Sequence, residues 1–165
     1  MVWSIVQGAW TLYTLIGIVV AVLAAVIAVT VHGVTQARVA RALGDRTADD
    51  QNMTEPDPRE HFDPIGSTAV VLFGWGWGKT VPFYPGRGRY ERRDMILFAL
   101  SGPAANLLLA VLLSLFLRFL FVSSDILAGI FAILIYINLG LAFFSLLPFP
   151  PLDGLKVILE VLPPR

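Results

Sequence analysis

His32 and Gln36 lie four residues apart near the end of a long apolar run. On a helix, the pattern His-Glu-x-x-His places two imidazoles on one face, where they bind Zn²⁺ beside a glutamate that acts as general base. Here the first histidine is present, but the base position holds Gly33 and the second ligand position holds Gln36. The segment therefore has the spacing of a zinc-hydrolase helix without its base and its second imidazole.

The composition predicts a membrane protein. Of the 165 residues, 56% are hydrophobic, and the mean hydropathy of +0.74 is well above that of a soluble domain. The 12 basic and 12 acidic residues balance, so we expect no nucleic-acid partner. Cysteine is absent, which excludes disulfides and thiolate ligands or nucleophiles.

Three apolar runs are long enough to cross a bilayer as helices. We predict an all-α membrane protein, one integral membrane domain over residues 1–165, with spanning helices at 12–43, 95–122 and 126–147. Residues 148–165 would hold a Pro-Pro-Leu-Asp-Gly segment and a short C-terminal helix. The loop 44–94 contains a stretch, 68–83, that mixes β-branched and aromatic residues around glycines, and this predicts a small β-hairpin at the membrane surface.

Basic residues lie mainly on one side of these spans. Lysine and arginine are frequent in the loop 44–94, Lys156 and Arg165 follow near the C-terminus, and Arg118 lies near the opposite side. The positive-inside rule places the loop and the C-terminus in the cytoplasm and the N-terminus outside.

Four stretches of the chain, the first of which contains the His32 motif, together indicate a family resemblance. They are the helix and its exit at 32–48, His-Phe-Asp-Pro-Ile-Gly at 61–66, Ser-Gly-Pro-Ala-Ala-Asn at 101–106, and the segment 138–154 that ends in Pro-Pro-Leu-Asp-Gly. In this order the chain resembles the site-2 protease family of intramembrane zinc metalloproteases, in its short prokaryotic form. The resemblance implies a site-2-protease-like core in a prokaryotic plasma membrane.

The same resemblance assigns roles to individual positions. His32 would be the first zinc ligand, position 36 the second and Asp153 the third, with position 33 as the base. Gln36 is a poorer zinc ligand than histidine, Gly33 has no carboxylate, and Ser145 stands where the family has asparagine. We therefore expect a relic site without catalytic residues or bound metal, zinc being the residual possibility.

This reasoning predicts a non-catalytic pseudoprotease, not an enzyme, that binds or assembles with another integral membrane protein in the bilayer. One alternative is a structural accessory subunit of a larger membrane complex. Another is a divergent intramembrane zinc peptidase that takes its missing ligand from His61, the other histidine of the chain. In that case His61→Ala would lose both metal and activity.

Polar side chains within the spans predict specific contacts, because they are costly to leave unpaired in lipid. We expect hydrogen bonds across the helices from His32, Gln36, Asn106, Asn138 and Asp153.

Aromatic and basic side chains cluster around the predicted hairpin, which is typical of anchors at the membrane interface. They are Trp75, Trp77, Lys79, Phe83, Tyr84, Arg87 and Arg89. The resemblance implies an alternative, in which the hairpin edge docks an extended peptide by strand addition.

Overall fold

The computed structural model describes residues 12–85, 91–119 and 124–162, and no strand occurs in these three stretches. In chain order the helices are α1 (Leu12–Ala42), α2 (Thr47–Asp50), α3 (Pro58–His61), α4 (Gly66–Phe73), α5 (Glu91–Phe119), α6 (Asp125–Ser145) and α7 (Asp153–Val161). The described part of the chain is therefore mainly helical, as the sequence predicted.

The three long helices α1, α5 and α6 contact one another pairwise and form a bundle. Each is long and apolar enough to cross a membrane, so the expected three candidate spans are confirmed as helices. Helix α5 begins at Glu91, whereas the sequence predicted a start at 95. Its first turn includes Glu91 and Asp94, and negative charge stabilises the N-terminal turn of a helix.

Small side chains on α1 allow the bundle to pack closely. Ala21, Ala24, Ala25 and Ala28 are all buried there, and they form one cluster with buried residues of α4 and α6. Helices in lipid associate through such small-residue faces, because close backbone approach maximises van der Waals contact.

A second buried cluster attaches the loop after α1 to the bundle. Phe83 of the loop stacks on Phe98 of α5 with ring centroids 4.5 Å apart, and Met53 is fully buried in the same cluster. Asp45 fixes both ends of this loop, since its carboxylate accepts hydrogen bonds from the backbone N–H of Thr47 at 2.9 Å and of Tyr84 at 2.7 Å.

The predicted hairpin over 68–83 is not present. Residues 66–73 form helix α4, and residues 74–85 continue without regular structure. The Asp63 carboxylate accepts hydrogen bonds from the backbone N–H groups of Ile65 and Gly66 at 3.0 and 2.6 Å, which stabilises the start of a helix. Gly74 ends α4 with a positive φ of 81°. The Asp63 hydrogen bonds at the start of α4 and Gly74 at its end favour a helix, although the residues between them have high β propensity.

Helix α6 offers a matched test of the packing. A Cβ at Gly140 would overlap the carbonyl oxygen of Gly74, whereas a Cβ at Gly129 would meet no atom of the described structure within 4 Å. We expect Gly140→Ala to lower the free energy of unfolding by about 1–3 kcal/mol. Gly129→Ala should leave it unchanged or raise it by up to about 1 kcal/mol. Denaturant unfolding in mild detergent measures both, and equal effects would contradict the described packing.

Candidate functional site

Both ring nitrogens of His32 are engaged inside the bundle. Nδ1 lies 2.9 Å from the side-chain oxygen of Asn106 on α5, and Nε2 lies 2.9 Å from a carboxylate oxygen of Asp153 on α7. The amide oxygen can only accept, so Nδ1 is the donor in the first contact. The second contact needs one proton of its own, which lies between Nε2 and the carboxylate oxygen of Asp153. A Cβ at Gly102 would overlap the imidazole, so this glycine allows α5 to approach the ring.

Two buried asparagines extend this contact across the bundle. The amide N–H₂ of Asn106 donates to the carbonyl oxygen of Ala28 on α1 and to the side-chain oxygen of Asn138 on α6, both at 2.9 Å. Asn138 in turn donates to the carbonyl oxygen of Leu134, also at 2.9 Å. Neither asparagine has any exposed surface. The chain of hydrogen bonds therefore joins all three spanning helices.

Asp153 is the first residue of α7 and joins His32 to a cation. Its second carboxylate oxygen accepts from the ammonium group of Lys156 at 2.8 Å, and this ammonium group lies 5.1 Å from the ring centroid of Phe98. Burial opposes ionisation of Asp153, but hydrogen bonding and charge from His32 and Lys156 hold the pKa of its carboxyl below the usual value. From the sequence, Lys156 was counted only among the basic residues that set the orientation, although a lysine three residues after an aspartate on one helix also predicts an ion pair.

A small cavity of about 30 Å³ lies beside these groups and has room for one or two water molecules. Its wall includes His32, Gly33, Gln36, Trp77, Ser145 and Asp153. The positions that the resemblance assigned to metal binding and catalysis thus surround one cavity, although they come from α1 and from both ends of the α6–α7 connection.

Gln36 and Ser145 differ from the other predicted polar residues. Gln36 is buried in the cavity wall, and its amide nitrogen has no hydrogen-bond partner in the described part of the chain. The Ser145 hydroxyl donates to the carbonyl oxygen of Ala142 in its own helix at 2.9 Å. Of the five residues expected to make interhelical contacts, His32, Asn106, Asn138 and Asp153 do so, whereas the amide nitrogen of Gln36 has no such contact within the described ranges.

His61 lies directly against Gly33. The imidazole of His61 is completely buried, and a Cβ added to Gly33 would overlap its Nδ1 atom. Nε2 lies 3.3 Å from the carbonyl oxygen of Glu55. Across the described ranges, no three His, Cys, Asp or Glu side chains are placed to share a metal ion, so His61 does not complete a ligand set with His32 and Asp153.

The aromatic and basic residues near α4 occupy varied environments. Trp77 stacks on Phe144 of α6 with ring centroids 6.5 Å apart, and Phe83 belongs to the buried cluster described above. Trp75 is 48% and Tyr84 71% exposed, and the Lys79 ammonium group lies 3.4 Å from a Glu60 carboxylate oxygen. Arg87 and Arg89 lie outside the described residues.

Comparison with known proteins identifies a relative of the chain. A protein of Bacillus subtilis (strain 168) named "Putative zinc metalloprotease YwhC" is 34% identical to it over 151 residues, which are 87% of this chain and 69% of the relative. The chain belongs to the YwhC family. No family model matches the chain, and no solved structure matches it.

This membership overturns one expectation. Gly33 and Gln36 predicted that the chain is not an enzyme, but the name of its relative is that of a zinc metalloprotease. The prediction was wrong because it took the changes at Gly33, Gln36 and Ser145 as the loss of the whole activity. The same name makes zinc a possible cofactor of this chain.

The residues at the cavity offer a partial zinc site. His32 and Asp153 present an imidazole nitrogen and a carboxylate oxygen 2.9 Å apart, and these are standard zinc donors. Gln36 lines the same cavity with an amide whose oxygen and nitrogen can exchange places by rotation of the group. Three protein donors suit a catalytic zinc ion, although an amide oxygen binds it more weakly than imidazole does.

The hydrogen-bond chain can be tested with Asn106→Leu, which leaves His32 Nδ1 without its acceptor. We expect this variant to lower the free energy of unfolding by about 1–3 kcal/mol. Ser114→Ala in the same helix is the control, because its hydroxyl bonds only to the carbonyl oxygen of Ala110 one turn earlier. Unfolding in mixed detergent measures both, and a loss in the Asn106 variant no larger than in the control would argue against the chain of hydrogen bonds.

Proposed function

We propose that the protein is a divergent intramembrane zinc peptidase with a site-2-protease-like core. The observation that supports this most strongly is the His32–Asp153 pair. These two residues are 121 positions apart in sequence, yet their side chains meet at 2.9 Å beside one small cavity. An ionisable pair inside a membrane bundle is energetically costly, and such pairs usually mark functional sites, so this pair supports the proposal.

Each side chain around the cavity has a distinct part in this proposal. His32, Asp153 and Gln36 hold the zinc ion, and Asn106 fixes the orientation of the His32 ring through Nδ1. Lys156 keeps the second oxygen of Asp153 in place and its carboxyl ionised. Zinc supplies Lewis acidity, which lowers the pKa of bound water and polarises a substrate carbonyl.

The surroundings of the site indicate the class of substrate. The cavity lies between spanning helices and beside the segment 77–80, which has no regular structure. A peptide that reaches His32 therefore comes from the bilayer or its surface, which makes the partner a segment of another integral membrane protein. Trp75, Tyr84 and the basic residues near them lie at the membrane interface in this arrangement.

Metal content and peptidase activity test the proposal together. We expect protein purified in mild detergent without chelator to retain zinc by elemental analysis and to cleave a membrane-protein substrate. His32→Ala and Asp153→Ala should lose both properties while Gly129→Ala keeps them. Gln36→His should raise zinc retention, because imidazole replaces a weak amide donor. Folded protein that binds no zinc even as the Gln36→His variant would refute the proposed function.

We further propose that the N-terminus lies outside and that the loop after α1 and the C-terminal helix lie in the cytoplasm, in a prokaryotic plasma membrane. Because the chain has no cysteine, single cysteines can be introduced without interference. Gln51→Cys and Ser124→Cys place thiols at exposed positions on opposite sides of the bundle. In intact cells a membrane-impermeant maleimide should label the cysteine at 124 and reach the one at 51 only after the membrane is opened. The reverse pattern would invert the orientation.

A further inference from the structure

Residues 74–80, with the sequence Gly-Trp-Gly-Trp-Gly-Lys-Thr, pass along one side of the cavity without regular structure. We call this segment the strap. The strap residues that line the cavity are Trp77, Gly78, Lys79 and Thr80. The rest of the wall comes from α1, from the end of α6 and from the connection into α7. The strap is therefore the part of the wall that belongs to no helix.

Glycines allow the strap to lie directly on the helices beneath it. A Cβ at Gly76 would overlap the carbonyl oxygen of Gly66 at the start of α4. A Cβ at Gly78 would come within 2.7 Å of a methyl carbon of Val29 on α1. The Trp77 indole, in turn, occupies the place where a side chain of Gly66 would begin. A side chain at position 76 would therefore push the strap away from α4, because the backbones are already in contact.

Both ends of the strap are fixed to the bundle. At its start, the carbonyl oxygen of Gly74 lies where a Cβ at Gly140 of α6 would be. Directly after its end, Val81 is 2% exposed and belongs to the buried cluster that contains Phe98 of α5. These two points define the ends of a segment that can move between them.

The contacts in the middle of the strap are weaker. The backbone N–H of Lys79 donates to the carbonyl oxygen of His61 at 2.8 Å, and the Ser67 hydroxyl donates to the carbonyl oxygen of Trp77 at 3.4 Å. The Trp77 ring stacks loosely on Phe144, with the centroids 6.5 Å apart. A short segment with so few buried contacts opens at lower cost than the packed helices around it.

With the strap in place, the cavity of about 30 Å³ has room for one or two water molecules and is too small for a peptide. The spanning helices cannot separate to enlarge it without breaking the hydrogen bonds of Asn106 and Asn138. We propose that the strap is a gate, which has to lift before a peptide reaches His32 and Asp153. This inference rests on the proposed peptidase function and adds its regulation, since the closed strap keeps other membrane proteins from the site.

A removable disulfide tests whether the strap has to move. A Cβ at Gly78 would lie 3.8 Å from the Cβ atom of Val29, a typical separation for two bonded cysteines. The chain has no cysteine of its own, so Val29→Cys/Gly78→Cys allows one disulfide within it. We expect oxidation of this double variant to lower hydrolysis of a single-span reporter protein by at least about tenfold, and dithiothreitol to restore it. Each single variant, treated in the same way, should not respond.

A labelling experiment measures the strap without any activity. Ser145 is buried in the cavity wall, so Ser145→Cys places a thiol there that reports access from water. Adding Gly76→Ala lifts the strap without removing an atom from the wall, and should raise the rate of reaction with a small water-soluble methanethiosulfonate by at least about tenfold. Adding Gly129→Ala instead should leave the rate unchanged, because a Cβ there meets no atom of the described structure within 4 Å.

Two results would overturn the gate. Oxidised Val29→Cys/Gly78→Cys protein that hydrolyses the reporter as fast as the reduced form would show that a peptide enters past a fixed strap. Equal labelling rates in folded protein with Gly76→Ala and with Gly129→Ala would show that the strap does not limit access to the cavity. If the unaltered protein hydrolyses nothing, the proposed function fails, whereas the labelling rates still report on the strap alone.

Discussion

The His32 imidazole lies among apolar helices, and both of its nitrogens need partners there. An unpaired polar group in an apolar medium costs several kcal/mol, and an unpaired charge costs more. The bundle meets this requirement through Asn106 on α5 and Asp153 on α7. Because His32 and its two partners belong to three separate helices, the relative placement of α1, α5 and α7 is constrained by one side chain. Gly102 allows the approach, since any larger residue there would collide with the ring.

The charges around the cavity are likewise offset by neighbouring groups. Asp153 contributes one negative charge, which Lys156 offsets through one carboxylate oxygen while His32 engages the other. Lys156 also lies over the Phe98 ring, which favours its ammonium group in a partly buried position. On the opposite side of Gly33, the neutral His61 ring adds no charge of its own. The wall of the cavity thus includes the Asp153–Lys156 ion pair, whose charges cancel. Behind Gly33, the buried Nδ1 atom of His61 has no hydrogen-bond partner in the described part of the chain.

The sequence predicted the features of this molecule that depend on hydropathy averaged over long segments. Three apolar runs predicted three spans, since hydropathy summed over some twenty residues overrides local detail. Polar contacts of His32 and Asp153 across the helices were also expected, although not which residue each would meet. Helix α4 was not, because the Asp63 contacts with Ile65 and Gly66 outweigh the β-branched residues that suggested a hairpin. The position of His61 against Gly33 depends on how the loop folds back onto α1, which no spacing in the sequence specifies. The expectation of a non-enzyme rested on the residue types at positions 33, 36 and 145, and the name of the relative overturns it.

The coordination of zinc in the loaded protein tests the central claim most directly. X-ray absorption at the zinc edge resolves the number and type of ligands and their distances from the metal. The account predicts nitrogen and oxygen ligands at about 2.0–2.2 Å, including one histidine, and loss of the histidine signature in His32→Ala. Zinc that shows the same spectrum in the unaltered protein, His32→Ala and Asp153→Ala would be bound elsewhere and would contradict the account.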